Sequence, residues 1–151
     1  MAEGVSVSLR IDAPAEEVWA LVADLPRMAE WSPENDGVEW THGATGPALG
    51  ARFKGTNSHG AKSWSTNGEV VACEPGRLFT FRITAVGTKV SEWSFHVEPM
   101  DAGCRVTETW IDQRGALTKV ISRSVSGVGD RAAHNHATME ETLHRLKAAA
   151  E

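Results

Sequence analysis

Two segments of opposite type frame the chain and constrain its fold more than any other feature. Residues 5–11 alternate apolar and polar side chains, which is typical of a half-buried strand. The segment after Gly129 is a strongly amphipathic helix, and roughly 100 residues of strand periodicity and turn signals separate the two. Because the apolar face of a sheet must be covered, this order predicts a curved antiparallel sheet that grips the terminal helix around an internal cavity.

Length and composition indicate a single globular domain over residues 1–151. The chain has 151 residues, 41% of them hydrophobic and 23% charged, so it can bury a core without covalent cross-links. Its aromatic residues are six Trp and four Phe, with no Tyr. The formal net charge is -5, with no long block of basic residues. We therefore expect neither nucleic acid nor an anionic membrane surface as a partner.

Cysteine usage and hydropathy predict a cytoplasmic protein without cofactor or metal. Cys73 and Cys104 lack the spacing of metal ligands and are too few for a disulfide framework, so we expect reduced thiols. No secretory leader is apparent, and no apolar run approaches the roughly 20 residues that span a bilayer, so no membrane insertion is expected. His134 and His136 diverge by about 200° on a helix, which is a poor arrangement for chelation.

The sequence between the two framing segments predicts two short helices and then a meander of strands. Asp12 is expected to cap the first helix, with Pro14 in its first turn. The second short helix is predicted around residues 27–30, followed by a turn at residues 35–37. Short turns between successive strands favour antiparallel pairing. Residues 115–127 are rich in Ser and Arg and are expected to form a loop or a mobile helical turn.

The terminal helix is predicted to bury a single stripe of side chains. At about 100° per residue, one face carries Ala132, Asn135, Met139, Leu143, Leu146 and Ala150. On the same helical wheel His134 faces solvent and His136 lies at the edge of the stripe.

Several polar residues share a face with apolar neighbours and are candidates for a site. Asn57 has the same strand phase as Phe53, and Trp64 and Thr66 would line the same concave surface. Glu108 has the same strand phase as Val106 and Trp110, and Asn135 lies in the helical stripe. A buried carboxyl group without a cation has a raised pKa, which makes Glu108 the candidate general base. Alternatively, these groups are satisfied structural residues, or the opposite strand phase exposes Glu108.

The order of these segments resembles the polyketide cyclase/dehydrase-like branch of the START-related SRPBCC superfamily. The resemblance covers nearly the whole chain and is carried by residues 13–19, 31–33, 50–57, 74–77, 93–95, 103–110 and 135–147. It implies an α+β helix-grip fold, in which a seven-stranded curved antiparallel sheet wraps around a long C-terminal helix, with two short helices after the first strand. It also implies a hydrophobic cavity that accepts polyketides, lipids, sterols or other aromatic metabolites, without implying one reaction.

Three functions are compatible with these observations, and the sequence indicates no oligomeric state. The favoured one is binding of a small hydrophobic molecule. Its apolar walls would be Trp31, Trp64, Trp93, Phe95, Trp110 and Met139. Asn57, Glu108 and Asn135 would be the three polar groups that orient the ligand, and Thr66 would line the same surface. The second is a polyketide cyclase or dehydratase, with Glu108 as base and Asn57 and Asn135 as donors to an enolate. The third is a stress or co-chaperone accessory with a filled core that acts through its surface.

Overall fold

The computed structural model describes residues 3–151 and contains seven strands and four helical segments. In chain order these are β1 (Glu3–Ile11), α1 (Ala15–Ala23), a 3₁₀ helix (Leu25–Glu30), β2 (Asn35–Thr41), β3 (Arg52–His59), β4 (Lys62–Glu74), β5 (Leu78–Ala85), β6 (Thr88–Pro99), β7 (Cys104–Asp112), α2 (Ala116–Ser126) and α3 (Arg131–Ala150). None of the helices in this described part is long and apolar enough to cross a membrane.

The strands form one antiparallel sheet in the order β1-β7-β6-β5-β4-β3-β2. Strands β2 to β7 follow one another as a meander, and β1 pairs with β7 at the other edge. Helix α3 packs against β1 and β7, while α1 packs against β5, β6 and α3. The predicted helix-grip architecture is therefore confirmed, including its two short helical segments after the first strand.

The ends of two elements differ from the sequence prediction. Helix α1 begins directly after Pro14, whose extended backbone forms the N-cap without a side-chain hydrogen bond. Asp12 does not cap it, because the N-cap is Pro14, two residues further along; the Asp12 backbone N–H donates to the carboxylate of Glu151, 2.8 Å away. Residues 35–37 were predicted as a turn but begin β2, where a bulge between Asn35 and Gly37 interrupts the pairing with β3.

Helix α3 buries the middle of the predicted stripe, leaves Ala132 and Ala150 at its two ends half-buried, and adds one residue. Asn135, Met139, Leu143 and Leu146 are buried as expected, and Thr142 joins them because it donates its hydroxyl to the Thr138 carbonyl. The prediction that His134 faces solvent is wrong, since its side chain is only 22% exposed. Asp130 caps the helix by accepting a hydrogen bond from the Ala133 amide.

Residues 115–127, expected to form a loop or mobile turn, contain the eleven-residue helix α2. It ends at Gly127, which adopts a left-handed backbone with φ of 75°, a conformation that favours glycine. The helix was missed because its inward positions are polar, with Ser126 buried and Ser122 half-buried. Sequence periodicity identifies a surface helix by an apolar inward stripe, which α2 lacks.

Close packing of aromatic side chains supports the concave face of the sheet. Phe53 is 2% exposed and contacts Phe81 edge to face, with ring centroids 5.4 Å apart. Gly68 on the neighbouring strand lies directly under the Phe53 ring, where an added Cβ would fall 2.1 Å from Phe53 Cζ. Phe53 can therefore occupy this position only because residue 68 has no side chain.

Candidate ligand-binding site

A cavity of about 150 Å³ lies between the concave face of the sheet, the 3₁₀ helix and α3. All ten residues that the sequence nominated line it: Trp31, Asn57, Trp64, Thr66, Trp93, Phe95, Glu108, Trp110, Asn135 and Met139. Their roles in binding or catalysis remain predictions. The volume matches that of a cavity able to hold one benzene-sized molecule. A void of this size argues against the filled core that the surface-acting hypothesis requires.

Strand register creates the aromatic wall of the cavity. Trp93 on β6 pairs directly with Trp110 on β7, and their ring centroids are 6.4 Å apart. One step along the same face, Phe95 pairs with Glu108. Directly opposite residues in an antiparallel pair have adjacent side chains, so Glu108 is surrounded by apolar groups from its own strand and from β6.

Glu108 is a buried carboxyl group without a compensating charge. The residue is 3% exposed, and its Oε1 atom has no hydrogen-bond partner in the described structure. Burial raises the pKa of Glu108 well above its ordinary value, because removal from water penalises the charged form. The inward phase is the correct one, since Thr107 hydrogen-bonds Ser8 at an exposed position on the opposite face. The neutral form of this carboxyl group, which burial favours, is a hydrogen-bond donor as well as an acceptor.

A charged cluster at one end of the cavity joins the start of α3 to the segment before β2. Arg131 Nη1 donates to both Glu34 carboxylate oxygens, at 2.8 and 2.9 Å, and its guanidinium lies 5.8 Å from the centroid of the Trp64 ring. His134 Nε2 lies 2.8 Å from Glu34 Oε2, and its ring meets His59 edge to face. Arg131 is thus neutralised by Glu34 and packs on an aromatic wall.

A second ion pair lies where β7 leads into α2. Arg114 donates to both oxygens of Asp112 at 2.8 Å and to Ser122 at 3.1 Å. Burial by itself raises the pKa of Asp112, but the hydrogen bonds and charge of Arg114 outweigh it and hold the pKa below its ordinary value. The side chains of Asp112 and Arg114 are 1% and 9% exposed. This end of the cavity therefore also carries no uncompensated charge.

These charged residues of the cavity wall were not predicted from the sequence. No arginine was expected in the cavity, yet Arg114 and Arg131 both line it, together with Glu34. A signal existed for one pair, because Asp112 and Arg114 continue the inward strand phase of Glu108 and Trp110. No comparable signal marks Arg131, which lies at the first turn of a helix.

The polar side chains of the cavity are oriented by hydrogen bonds to other residues that line it. The side-chain oxygen Oδ1 of Asn57 accepts a hydrogen bond from Asn35 Nδ2 at 3.3 Å, and Oδ1 of Asn135 accepts one from Arg131 at 3.4 Å. This leaves the amide nitrogen of Asn57 and of Asn135 to donate to a bound molecule. Among residues 3–151, no cluster of three His, Cys, Asp or Glu side chains has the geometry to hold a metal ion.

The sequence profile of the family described as "Polyketide cyclase / dehydrase and lipid transport" matches residues 3–151. The chain belongs to this family. Among curated proteins, none matches the chain.

Solved structures share the fold of this family member over almost its whole length. A Polyketide_cyc-like protein, Cgl2372 from Corynebacterium glutamicum, is 29% identical, with 97% of this chain and 90% of that chain covered and a TM-score of 0.65. Major latex-like protein 151 from Panax ginseng is 13% identical, with 99% and 97% covered and a TM-score of 0.75. The di-domain ARO/CYC protein StfQ of the steffimycin biosynthetic pathway is 11% identical, with a TM-score of 0.75, and 99% of this chain covers 51% of StfQ. The last two show similarity of fold alone.

Proposed function

We propose that the protein binds a small, neutral, largely apolar molecule that carries a hydrogen-bonding oxygen. The observation that carries this proposal is the unpartnered Oε1 atom of Glu108 beside the aromatic wall of the cavity. A buried polar atom without a partner costs about 1–3 kcal/mol. A ligand oxygen that accepts a hydrogen bond from the neutral carboxyl group would remove that cost. The apolar walls would supply the remaining affinity.

Cavity volume supports a compact ligand. At about 150 Å³, the space is below the roughly 300–1,000 Å³ of pockets for drug-sized ligands. A single aromatic ring with a short polar substituent fits this volume. A long polyketide or lipid chain would need the cavity to open further, which makes such ligands the less favoured members of the class.

Charge pairing supports a neutral ligand. Each arginine of the wall is already neutralised, Arg131 by Glu34 and Arg114 by Asp112. An anionic ligand would compete with these carboxylates for their cations. A cationic ligand would need the ionised form of Glu108, which burial disfavours. The cavity therefore favours an uncharged aromatic ketone, phenol or quinone over a carboxylic acid or an amine.

A matched pair of probes tests this function. Acetophenone and ethylbenzene have nearly the same shape, but only acetophenone has an oxygen that can accept a hydrogen bond. Titrations followed by Trp fluorescence and NMR chemical shifts should show that wild type prefers acetophenone by about tenfold, the effect of one buried hydrogen bond. Glu108→Leu should lose the preference, whereas Glu108→Gln should retain part of it because an amide can still donate.

Glu74→Leu, a change at an exposed glutamate at the end of β4, is the control and should behave like wild type. An equal affinity of wild type for both probes, or an unchanged preference in Glu108→Leu, would contradict the assignment of Glu108. Absence of binding of either probe would contradict the binding function itself.

A second candidate function is cyclase or dehydratase chemistry, and the raised pKa of Glu108 favours it. A carboxylate with a raised pKa is a stronger base once ionised, and it could take a proton from the carbon between two carbonyl groups. The resulting enolate oxygen would accept hydrogen bonds from the amide nitrogens of Asn57 and Asn135. Membership of the cyclase/dehydrase family and the fold shared with StfQ also support this candidate.

Deuterium exchange at the central carbon of benzoylacetone, followed by NMR, tests this chemistry. Wild type should accelerate the exchange above the buffer rate, increasingly so as pH rises through the raised pKa of Glu108. Glu108→Gln should remove the acceleration while still binding the compound. An unchanged rate in Glu108→Gln would exclude this mechanism.

A further inference from the structure

Helix α2 presents its apolar side chains to solvent. Leu117, Val120, Ile121 and Val125 share one helical face and are 73%, 67%, 53% and 42% exposed. They make up four of the seven large hydrophobic residues that are exposed in the described residues. Their spacing of three, four and eight residues is that of an amphipathic stripe. This stripe, which we call the α2 face, points away from the core that normally covers such a stripe.

The polar side of α2 faces the protein instead. Ser126 is 2% exposed and donates its hydroxyl to the Ser122 carbonyl, while Ser122 lines the cavity and accepts from Arg114. The helix therefore cannot simply be rotated to bury its apolar side, because the polar side chains on its inward side make hydrogen bonds there. An exposed contiguous apolar stripe of this kind marks an interaction surface.

The exposed charged residues of α2 itself are positive. Residues 113–129 contain Arg114, Lys119 and Arg123 and no Asp or Glu. Because the side chain of Arg114 is only 9% exposed and is paired with Asp112, Lys119 and Arg123 are the cations at the surface. Arg123 makes no ion pair with any described residue, and Lys119 is half-exposed at 3.9 Å from the buried Asp112. Lys62 lies against Gly127 at the end of the helix. In a chain with a net charge of -5, this segment is a local basic patch that the overall charge conceals.

We propose that α2 docks the protein on an anionic lipid surface, with the α2 face in the interfacial region and the surrounding cations on the headgroups. A helix that combines an exposed apolar stripe with Lys and Arg and lacks acidic residues has the composition of interfacial membrane helices. This is peripheral attachment and needs no membrane-spanning segment. It reverses the expectation, drawn from the net charge alone, that an anionic membrane surface is not a partner.

A second copy of the chain fits the α2 face less well. An interface between identical patches would bring the cations of one copy against those of the other. Four aliphatic side chains also fall short of the roughly 800 Å² per partner that a standard stable interface buries. Anionic headgroups satisfy both the apolar stripe and its basic surroundings.

Docking would place the border of the cavity at the lipid surface, because Ser122 of α2 lines that cavity. The docking inference does not rest on the proposed ligand or reaction. The probe titrations of the cavity are made without lipid, so failure of either proposal leaves the other measurable.

Vesicle co-sedimentation tests the docking, with vesicles of phosphatidylcholine mixed with phosphatidylglycerol and vesicles of phosphatidylcholine alone. Wild type should bind the anionic vesicles, and added salt should weaken the binding. Leu117→Gln with Ile121→Gln should lose about tenfold or more of the affinity, since two side chains no longer insert. Arg123→Gln should lose about fivefold on anionic vesicles and little on neutral ones.

Leu49→Gln is the matched control, because Leu49 is 73% exposed like Leu117 but lies in the loop before β3. It should bind vesicles like wild type. The proposal is overturned if wild type binds neither vesicle, or if Leu49→Gln loses as much affinity as the double variant. It is also overturned if light scattering finds a dimer in wild type that the double variant loses without any lipid binding.

Discussion

Two buried carboxyl groups lie on the same face of β7, four residues apart, in opposite electrostatic states. Glu108 is 3% exposed and Asp112 is 5% exposed. The pKa of Glu108 is raised by burial, whereas Arg114 holds the pKa of Asp112 below its ordinary value in spite of burial. Both carboxyl groups are thus buried, and they differ because only Asp112 has a cationic partner, which favours its ionised form. Asp112 forms a structural ion pair with Arg114 at the edge of the cavity, whereas Glu108 is the polar group that the proposed ligand would contact.

The largest expected effect comes from removing the charge of Asp112. Asp112→Asn leaves the Arg114 guanidinium, 9% exposed, without its counter-ion, and should destabilise the protein by about 3 kcal/mol. Glu108→Gln replaces a carboxyl group that has no counter-ion and whose neutral form burial favours, and it should change stability by less than about 1 kcal/mol. Urea unfolding of both variants measures the difference.

Glu69→Gln is the control for this comparison, because its pair with Arg52 is exposed and 3.5 Å long. Such a pair contributes roughly 0–1 kcal/mol. If Asp112→Asn were no more destabilising than Glu69→Gln, the contrast between the two carboxyl groups of β7 would not hold.

The pH dependence of stability should separate the two groups by sign. Above pH 4.5, the ordinary pKa of Glu108, the unfolded carboxyl ionises while the folded one keeps its proton. Stability should therefore fall by about 1.4 kcal/mol per pH unit up to the raised pKa. The stabilisation from Asp112 is present above its ordinary pKa of 3.8 and is lost as pH falls below that value towards the lowered pKa.

Unfolding of wild type and Glu108→Gln between pH 5 and pH 8 measures this slope, and the variant should lack the decline that Glu108 causes. An identical slope in both proteins would mean that Glu108 is ionised in the folded state. Asp112→Asn is the companion variant: it should lower stability throughout this range and change the slope of stability against pH only below about pH 3.8, the ordinary pKa of Asp112.

The smallest expected effect comes from removing Lys119, the more distant of the two cations near Asp112. Lys119 lies 3.9 Å from Asp112, and its side chain is 48% exposed, so solvent screens it and Arg114 retains Asp112. Lys119→Gln should cost less than about 0.5 kcal/mol in urea unfolding. A loss comparable to that of Asp112→Asn would assign the stabilisation of Asp112 to Lys119 rather than to Arg114.

Alternation along strands allowed the inward residues of the sheet to be predicted, but it could not identify their partners. Glu108 was placed inward because Val106 and Trp110 define the phase, and the structure has it there. The same phase extends to Asp112 and Arg114. Their pairing, however, depends on the local backbone after β7, where the Arg114 N–H also donates to Asp112, and strand alternation does not predict that geometry. Likewise Glu34 meets Arg131 across 97 residues, a proximity set by the packing of α3 and invisible in local sequence.

Helix α2 was missed for a different physical reason. Its amphipathic stripe is present in the sequence, but pattern analysis assumes that the apolar side faces the core. Here Leu117 and Ile121 face solvent while Ser126 is buried. The long α3 followed the usual rule, and its buried residues were predicted almost completely.

The pairing of β1 with β7 determines when the ligand cavity can form during folding. Ser6 and Thr109 share a hydrogen bond across 103 residues, so the edge that flanks Glu108 is closed by a contact of very high sequence separation. Contacts of this kind pay a large loop-closure cost and form late. We expect the meander β2–β7 to acquire protection from hydrogen exchange before β1 does. On the ribosome, the first strand would then wait, unpaired, until nearly the whole chain had been synthesised.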